Sequence, residues 1–378
     1  MISPKDFHAA LATEGVDFLT GVPDSLLKEF CAYVDAALPP SGHVIAANEG
    51  TAVGLAAGHH LATGSLPMVY LQNSGLGNSV NPLLSLADKE VYSIPIVVLI
   101  GWRGAPSVND EPQHVKQGRI TPAMLDAMEI PYRVLDGDSA KAAEAAKWAA
   151  ATARATSAPV ALLVNKGAFG KAEAKRPDRA VPETTLAREA AIKLLTAVLP
   201  AGITIVATTG MISRELYECR VASGQDRSGD FLTVGSMGHA SQIALGIARA
   251  KTDAQVVCLD GDGAALMHLG GMATIGTSDT GNLFHIVLNN GAHDSVGGQP
   301  TVAQQISLTE IATACGYDAV EGPVEDEAEI RFQIERLAQL HGRRFLEVLV
   351  RPGSRADLGR PKESPAENKA MFIDRLRN

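Results

Sequence analysis

Short apolar runs that stop at glycine or turn residues recur along the whole chain, and stretches of helical period fill the intervals between them. In the first half they are Asp17 to Thr20 before GVPD, Val44 to Ala47 before NEG, Met68 to Leu71 before QNSG, Ile96 to Ile100 before GWRG, then Arg133 to Leu135 and Val160 to Val164. The second half repeats the rhythm at Ile203 to Ala207, Phe231 to Val234, Val256 to Leu259, Phe284 to Leu288 and Phe345 to Val350, with a weaker candidate near Asp318 to Val320. Ala140 to Thr156 and Leu186 to Val198 are amphipathic at helical spacing. A strand followed by a helix before the next strand pairs in parallel, and a parallel sheet is covered by helices on both faces. The fold class is therefore α/β, built as three-layer units with parallel sheets. With 378 residues there is room for two full cores. Residues 169–187, charged and carrying Pro177 and Pro182, read as a linker between a unit at 1–168 and a similar one at 188–378.

The segment from Val256 to Asn290 carries the strongest chemical signal. One apolar run stops at Asp260-Gly261-Asp262-Gly263 and the next at Asn289-Asn290, so in a parallel sheet hard oxygen ligands meet at the rim where ligands of open α/β sheets bind. A carboxylate and an amide oxygen suit magnesium, which leaves coordination positions for water and phosphate. Asp, Gly and Asn are also ordinary turn residues, and GDG alone reads more readily as a polar turn. The paired asparagines 25 residues further on favour the metal. Thr208-Thr209-Gly210 and Gly235-Ser236-Met237-Gly238 offer hydroxyls and N–H groups where strands feed helices, which is how anions are held.

Three further features stand in the first half. Glu49 opens an Ala- and Gly-rich helix, where an acidic residue is favoured by the macrodipole in any case. Gln72 to Asn78 reads as a polar loop at a strand end. The stretch Asn109 to Arg119 lacks a regular period and reads as a long loop; with Arg103 it gathers Lys116, Arg119 and the titratable His114. A solvated surface loop would have this composition, and so would a lid over a small anion. His114 is the candidate for proton transfer, since imidazole works near neutral pH.

A net charge of −9 argues against nucleic acid and anionic membrane as partners, both of which call for a basic surface. Four cysteines with no CxxC pair indicate neither a zinc site nor a disulfide framework. The first residues lack the apolar core of a signal peptide, and no apolar stretch is long enough to span a bilayer, so a cytoplasmic location is expected.

The spacing GDG, 25 residues, NN resembles the signature of the thiamine diphosphate enzymes. That resemblance implies two domains of one fold, binding the pyrimidine and the diphosphate respectively, with thiamine diphosphate and Mg2+ as cofactors. It makes Asp262, Asn290 and the carbonyl of Ala292 the metal ligands, with Asp260 and Asn289 as supporting turns. It makes Glu49 the carboxyl that protonates the aminopyrimidine ring and so generates the reactive form of the cofactor. It implies cofactor contacts from Asn73, Asn78, Thr209, Gly210, Gly235, Ser236, Gly261, Gly263 and Ala264, with Met237 as the bulky residue that bends the cofactor. Longer segments, among them GVPDSLLKEFCAYV, QNSGLGNSVNPLLSLADKEVYSIP, DEPQHVKQGRIT and LTVGSMGHASQIALGIA, are similar to one branch of the family's 2-oxo acid decarboxylases, those acting on phosphonopyruvate, with the sulfopyruvate enzymes close by. From that branch follow a small anionic 2-oxo acid as substrate, its phosphonate held by Ser25, Arg103, His114, Lys116 and Arg119, and non-oxidative loss of CO2. A carboligating or acyl-transferring enzyme is the alternative reaction class. The family also implies a homodimer or dimer-based homo-oligomer with active sites between subunits. Asn289 departs from the aspartate common in these relatives and leaves the ligand Asn290 untouched.

Overall fold

A computed structural model of the chain describes residues 1–106, 108–172 and 184–377. It divides into two compact units, Met1–Arg179 and Ala180–Asn378. Of the expected linker, residues 173–183 lie outside the described residues. On its flanks Phe169 packs into the core of the first unit and Leu186 into that of the second.

The first unit is a six-stranded sheet of β1 (Val16–Gly21), β2 (His43–Ile45), β3 (Leu66–Gln72), β4 (Ile96–Gly101), β5 (Tyr132–Leu135) and β6 (Pro159–Val164), all parallel, in the order β2-β1-β3-β4-β6-β5. The central strands are apolar on both faces because both are covered. Along β4, Val97 and Leu99 enter one core with Phe7, Phe30 and the alanines of helix Ser139–Thr156, whereas Ile96, Val98 and Ile100 enter another with Ala52, Val53 and Leu83. In that alanine helix Ala142, Ala145, Ala146, Ala149, Ala150 and Ala153 form a single buried stripe, small enough to lie close on the sheet. The Asp138 side chain accepts the N–H groups of Ala140 and Lys141 and caps its start, a contribution of about 1 kcal/mol.

The second unit holds β7 (Thr204–Ala207), β8 (Asp230–Leu232), β9 (Val256–Gly261), β10 (Leu283–Asn289), a small antiparallel pair β11 (Ala292–His293) and β12 (Gln299–Pro300), then β13 (Ala319–Val324) and β14 (Arg344–Leu349). Its main sheet is parallel in the order β13-β14-β10-β9-β7-β8. Counted from the first strand of each unit, both sheets have the same strand order, so the similarity of the halves is one of topology. In each the order reverses beside the first strand, and ligands of such sheets bind at the carboxyl ends next to that reversal.

Two local expectations change. Asn109 to Arg119 is not a long loop: helix Pro112–Ala127 occupies most of it, with Pro112 in the first turn, where its missing N–H costs nothing. Its buried face is His114, Gly118, Thr121 and Leu125, a helical stripe of mostly polar and small residues that an apolar-periodicity reading passes over. Likewise Asn73–Gly75 is a 3-10 turn leading into helix Leu76–Pro82, with Asn73, Gly75, Leu76 and Ser79 buried. No helix among the described residues is long and apolar enough to cross a membrane.

Candidate active site

In the second unit β9 and β10 run in register, Val287 beside Asp260 and Leu288 beside Gly261, so the GDG and NN turns leave the sheet side by side. Asp262 is buried; its Oδ2 accepts the Thr301 hydroxyl at 2.5 Å, and the backbone N–H groups of Gly263 and Asn290 face its carboxylate. Burial nevertheless pushes its pKa up to about 6, because these partners are neutral donors. The Asn290 Nδ2 donates to Asp294 Oδ2 at 2.7 Å, while its Oδ1 accepts the Ala292 N–H at 3.1 Å. A buried carboxylate with neutral partners and an amide oxygen from the end of the neighbouring strand are hard donors that fit a divalent cation of the magnesium type.

The residues around this set support the turns and leave space. Asp260 accepts the Gly261 N–H at 3.0 Å and lies 3.5 Å from His285 Nε2, whose ring faces the Tyr317 hydroxyl at 3.0 Å. Asn289 donates to Glu347 at 2.7 Å and accepts from Gly291 N–H and Gln304 Nε2. The Thr209 hydroxyl accepts the Gly235 N–H at 2.9 Å, joining the ends of β7 and β8. Gly210, Gly235 and Ser236 have φ of 101°, 73° and 48°, so the backbone there turns through the left-handed region. A Cβ on Gly263 would lie 3.1 Å from the His293 ring and 3.4 Å from Met237 Cε, which puts Met237 against the GDG turn. Gly261, half-buried, ends β9, and Ala264 is buried in the short helix Asp262–Met267 that follows at once. A cavity of about 340 Å³ between Ile203, Arg220, Asp230 and Arg375 opens at the opposite, amino-terminal edge of the sheet and has no part in this set.

In the first unit Glu49 is buried at the start of helix Glu49–Thr63, after the capping Asn48. Its Oε2 accepts the Asn78 amide at 2.8 Å. Gly75 is glycine for a steric reason: a Cβ there would stand 2.1 Å from Glu49 Oε1. Asn73 has no free end, since its amide donates to the Arg103 carbonyl and to Thr121 Oγ1 and accepts the Arg103 N–H. It ties β3 to the residues after β4.

Arg103 and Ser25 come together, with Nη1 donating to Ser25 Oγ at 2.8 Å. The rest of the guanidinium fork is taken by Asp110 through Nε at 2.7 Å and through Nη2. The Arg103 hydrogen bonds hold Asp110 down to about 2, so the pair is ionised. Burial, helped by the Arg103 charge, lowers His114 to about 4, and its Nδ1 has no hydrogen-bond partner. His114 is thus neutral at pH 7. Lys116 and Arg119 are exposed on the same helix. Thr301, Asp294, Asp110 and Gly75 belong to no motif in the sequence; only the polar run after Asn290 and the DEPQH stretch point toward the first three.

The depressed His114 pKa sets a pH dependence of stability. Between pH 6.5 and about 4 the unfolded chain binds a proton that the folded one refuses. Stability is unaffected above pH 6.5 and falls by up to about 1.4 kcal/mol per pH unit as the pH drops through this window. Urea midpoints at pH 7 and pH 5 should therefore diverge less in His114→Gln than in the natural protein; equal divergence would sink the assignment.

Residues 5–130 match the family model of the N-terminal TPP binding domain of thiamine pyrophosphate enzymes, and residues 209–348 match that of the C-terminal TPP binding domain. The chain is 37% identical to the phosphonopyruvate decarboxylase of Streptomyces viridochromogenes over 98% of this chain and 94% of that one. It is 38% identical to the phosphonopyruvate decarboxylase of Streptomyces hygroscopicus, covering 98% and 93%. The sulfopyruvate decarboxylase of Methanosarcina acetivorans is 30% identical over 96% of this chain and 94% of its own length. The GDG and NN turns thus sit in a chain that belongs to the thiamine pyrophosphate enzymes and, within them, to the decarboxylases of the phosphonopyruvate and sulfopyruvate group.

Proposed function

We propose that this protein binds thiamine diphosphate with Mg2+ and decarboxylates 3-phosphonopyruvate to phosphonoacetaldehyde and CO2. The observation that carries the substrate is identity of 37% and 38% over nearly the whole chain to two phosphonopyruvate decarboxylases, against 30% to the sulfopyruvate enzyme. Bound thiamine diphosphate supplies the nucleophilic carbon and the electron sink that let a 2-oxo acid release CO2. Asp262, Asn290 and the Ala292 carbonyl would hold the metal. Glu49, its carboxyl fixed by Asn78, would hold the proton exchanged with the pyrimidine ring, and Met237, packed against Gly263, would be the bulky residue that meets the cofactor. Thr209 would present its hydroxyl, already aimed by the Gly235 N–H, and Gly210 and Ser236 their backbone N–H groups, to the diphosphate.

Ser25 and Arg103 hold the phosphonate, competing with Asp110 for the guanidinium fork. His114 is neutral in the free protein. A multiply charged anion bound beside it raises the imidazole pKa toward the range of a general acid. A homodimer or dimer-based oligomer belongs to the same proposal, and light scattering tests it.

Phosphorus NMR of the reaction, with phosphonopyruvate, sulfopyruvate and pyruvate compared side by side and with an aldehyde acceptor added or withheld, is the direct test. Phosphonoacetaldehyde as the product and phosphonopyruvate as the best substrate are expected. Faster turnover of sulfopyruvate, or ligation to the acceptor, would replace this reading. Arg103→Ala should raise KM for phosphonopyruvate about tenfold or more, the loss of a bidentate charged contact. An unchanged KM moves the phosphonate site elsewhere.

A further inference from the structure

We infer that Asp294, held by Arg188, is the positioning residue that sets which end of the Asn290 amide faces the metal. The inference rests on the reading of Asn290 as a metal ligand. An asparagine amide has two ends of nearly equal size, and only the oxygen can bind a hard cation. A flipped amide turns two N–H groups toward the ion. Something must choose between the orientations, and the neighbours of Asn290 do so from both sides. The Asp294 carboxylate only accepts, and it takes the Asn290 Nδ2 at 2.7 Å; the Ala292 N–H only donates, and it meets Oδ1 at 3.1 Å. Flipping the amide would replace both hydrogen bonds by like-against-like contacts.

Asp294 is itself anchored. Its Oδ2 also accepts Arg188 Nη1 at 2.7 Å and the Gly353 N–H at 2.9 Å. Arg188 cannot swing away, because Nε and Nη2 are bound to the two oxygens of Glu215 at 2.8 and 2.9 Å. The Arg188, Glu215 and Asp294 side chains are 4%, 2% and 12% exposed. Arg188 opens helix Arg188–Val198, and the preceding Ala187 is bridged to Arg351, which brings Gly353 to the same carboxylate. Ion networks of this kind contribute little net stability when buried, whereas partners that orient a ligand are worth roughly 10–100-fold in metal affinity.

The test is calorimetric titration of Mg2+ into the full protein with saturating thiamine diphosphate. Asp294→Ala should raise the apparent dissociation constant for Mg2+ about 10–100-fold. The isosteric Asp294→Asn, which keeps an oxygen but can present either end, should fall between it and the natural protein, and it serves if the alanine variant folds poorly by circular dichroism. Asn290→Ala supplies the decisive background: if Asp294 acts through Asn290, adding Asp294→Ala to it changes the constant by less than about threefold. A constant unchanged in both Asp294 variants, or an Asp294→Ala effect of full size in the Asn290→Ala background, overturns the inference. Failure of the natural protein to bind thiamine diphosphate with Mg2+ overturns the proposed function instead.

Discussion

Replacing Glu49 by glutamine should lower turnover about a hundredfold or more, the scale of general acid–base contributions, in a protein that remains folded. The substitution keeps the size of the side chain. It also keeps an oxygen able to accept the Asn78 amide that now meets Oε2 at 2.8 Å. The contact with Gly75, where even a methyl group would collide with Oε1, is preserved as well. What is lost is the protonatable oxygen. A structural acid in a helix first turn is worth a few tenths of a kcal/mol to about one and would leave kcat nearly untouched. Steady-state kinetics with saturating thiamine diphosphate and Mg2+, beside far-UV circular dichroism, separates the two roles. Near-normal kcat in a folded Glu49→Gln protein would remove Glu49 from the chemistry.

What could be read in the sequence was whatever depends on hydrophobic burial or on close backbone approach. The central strands β4 and β6 bury every residue on both faces, so they appear as uninterrupted apolar runs, and each run sits where a strand was expected. The rim residues follow, because a strand end fixes where the next few residues go, and the parallel register of β9 with β10 then brings Asp262 and Asn290 together. Polar packing left no comparable trace. Helix Pro112–Ala127 buries His114, Gly118 and Thr121, and no apolar period marks such a face. Nor does charge composition reveal pairing. Arg103 counts as a free cation in the sequence, but in the fold Asp110, only seven positions on, takes two of its three nitrogens. Thr301 reaches Asp262 because β11 and β12 fold the chain back on itself, with Thr301 N–H bonded to the Gly291 carbonyl, whereas Asp294 meets Asn290 locally, four positions on.

Asp262→Ala should abolish Mg2+-dependent retention of thiamine diphosphate, and the buried setting of this carboxylate makes the prediction sharper than a simple loss of a ligand. With its carboxylate 2% exposed and only neutral donors around it, Asp262 has a pKa raised to about 6 from 3.8. A raised carboxyl pKa means that stability present below pH 3.8 is lost as the pH climbs through about 6. At pH 7 the metal-free protein therefore bears a cost on the order of 3 kcal/mol for this one ionised group. A bound divalent cation offsets that cost, so metal binding and stability are linked. Two results are expected together. In thermal unfolding, adding Mg2+ with thiamine diphosphate raises Tm in the natural protein and leaves it unchanged in Asp262→Ala and Asp262→Asn. In chelator alone at pH 7, Asp262→Asn, which keeps the volume and can still accept the Thr301 hydroxyl, is at least as stable as the natural protein. Calorimetry with and without chelator checks the binding directly. Retention of the cofactor within about threefold in either variant would move the metal off Asp262, since a first ligand to magnesium carries far more than that. A large fall in the stability of Asp262→Asn without metal would instead make the carboxylate a structural partner of Thr301, with no role in holding a cation.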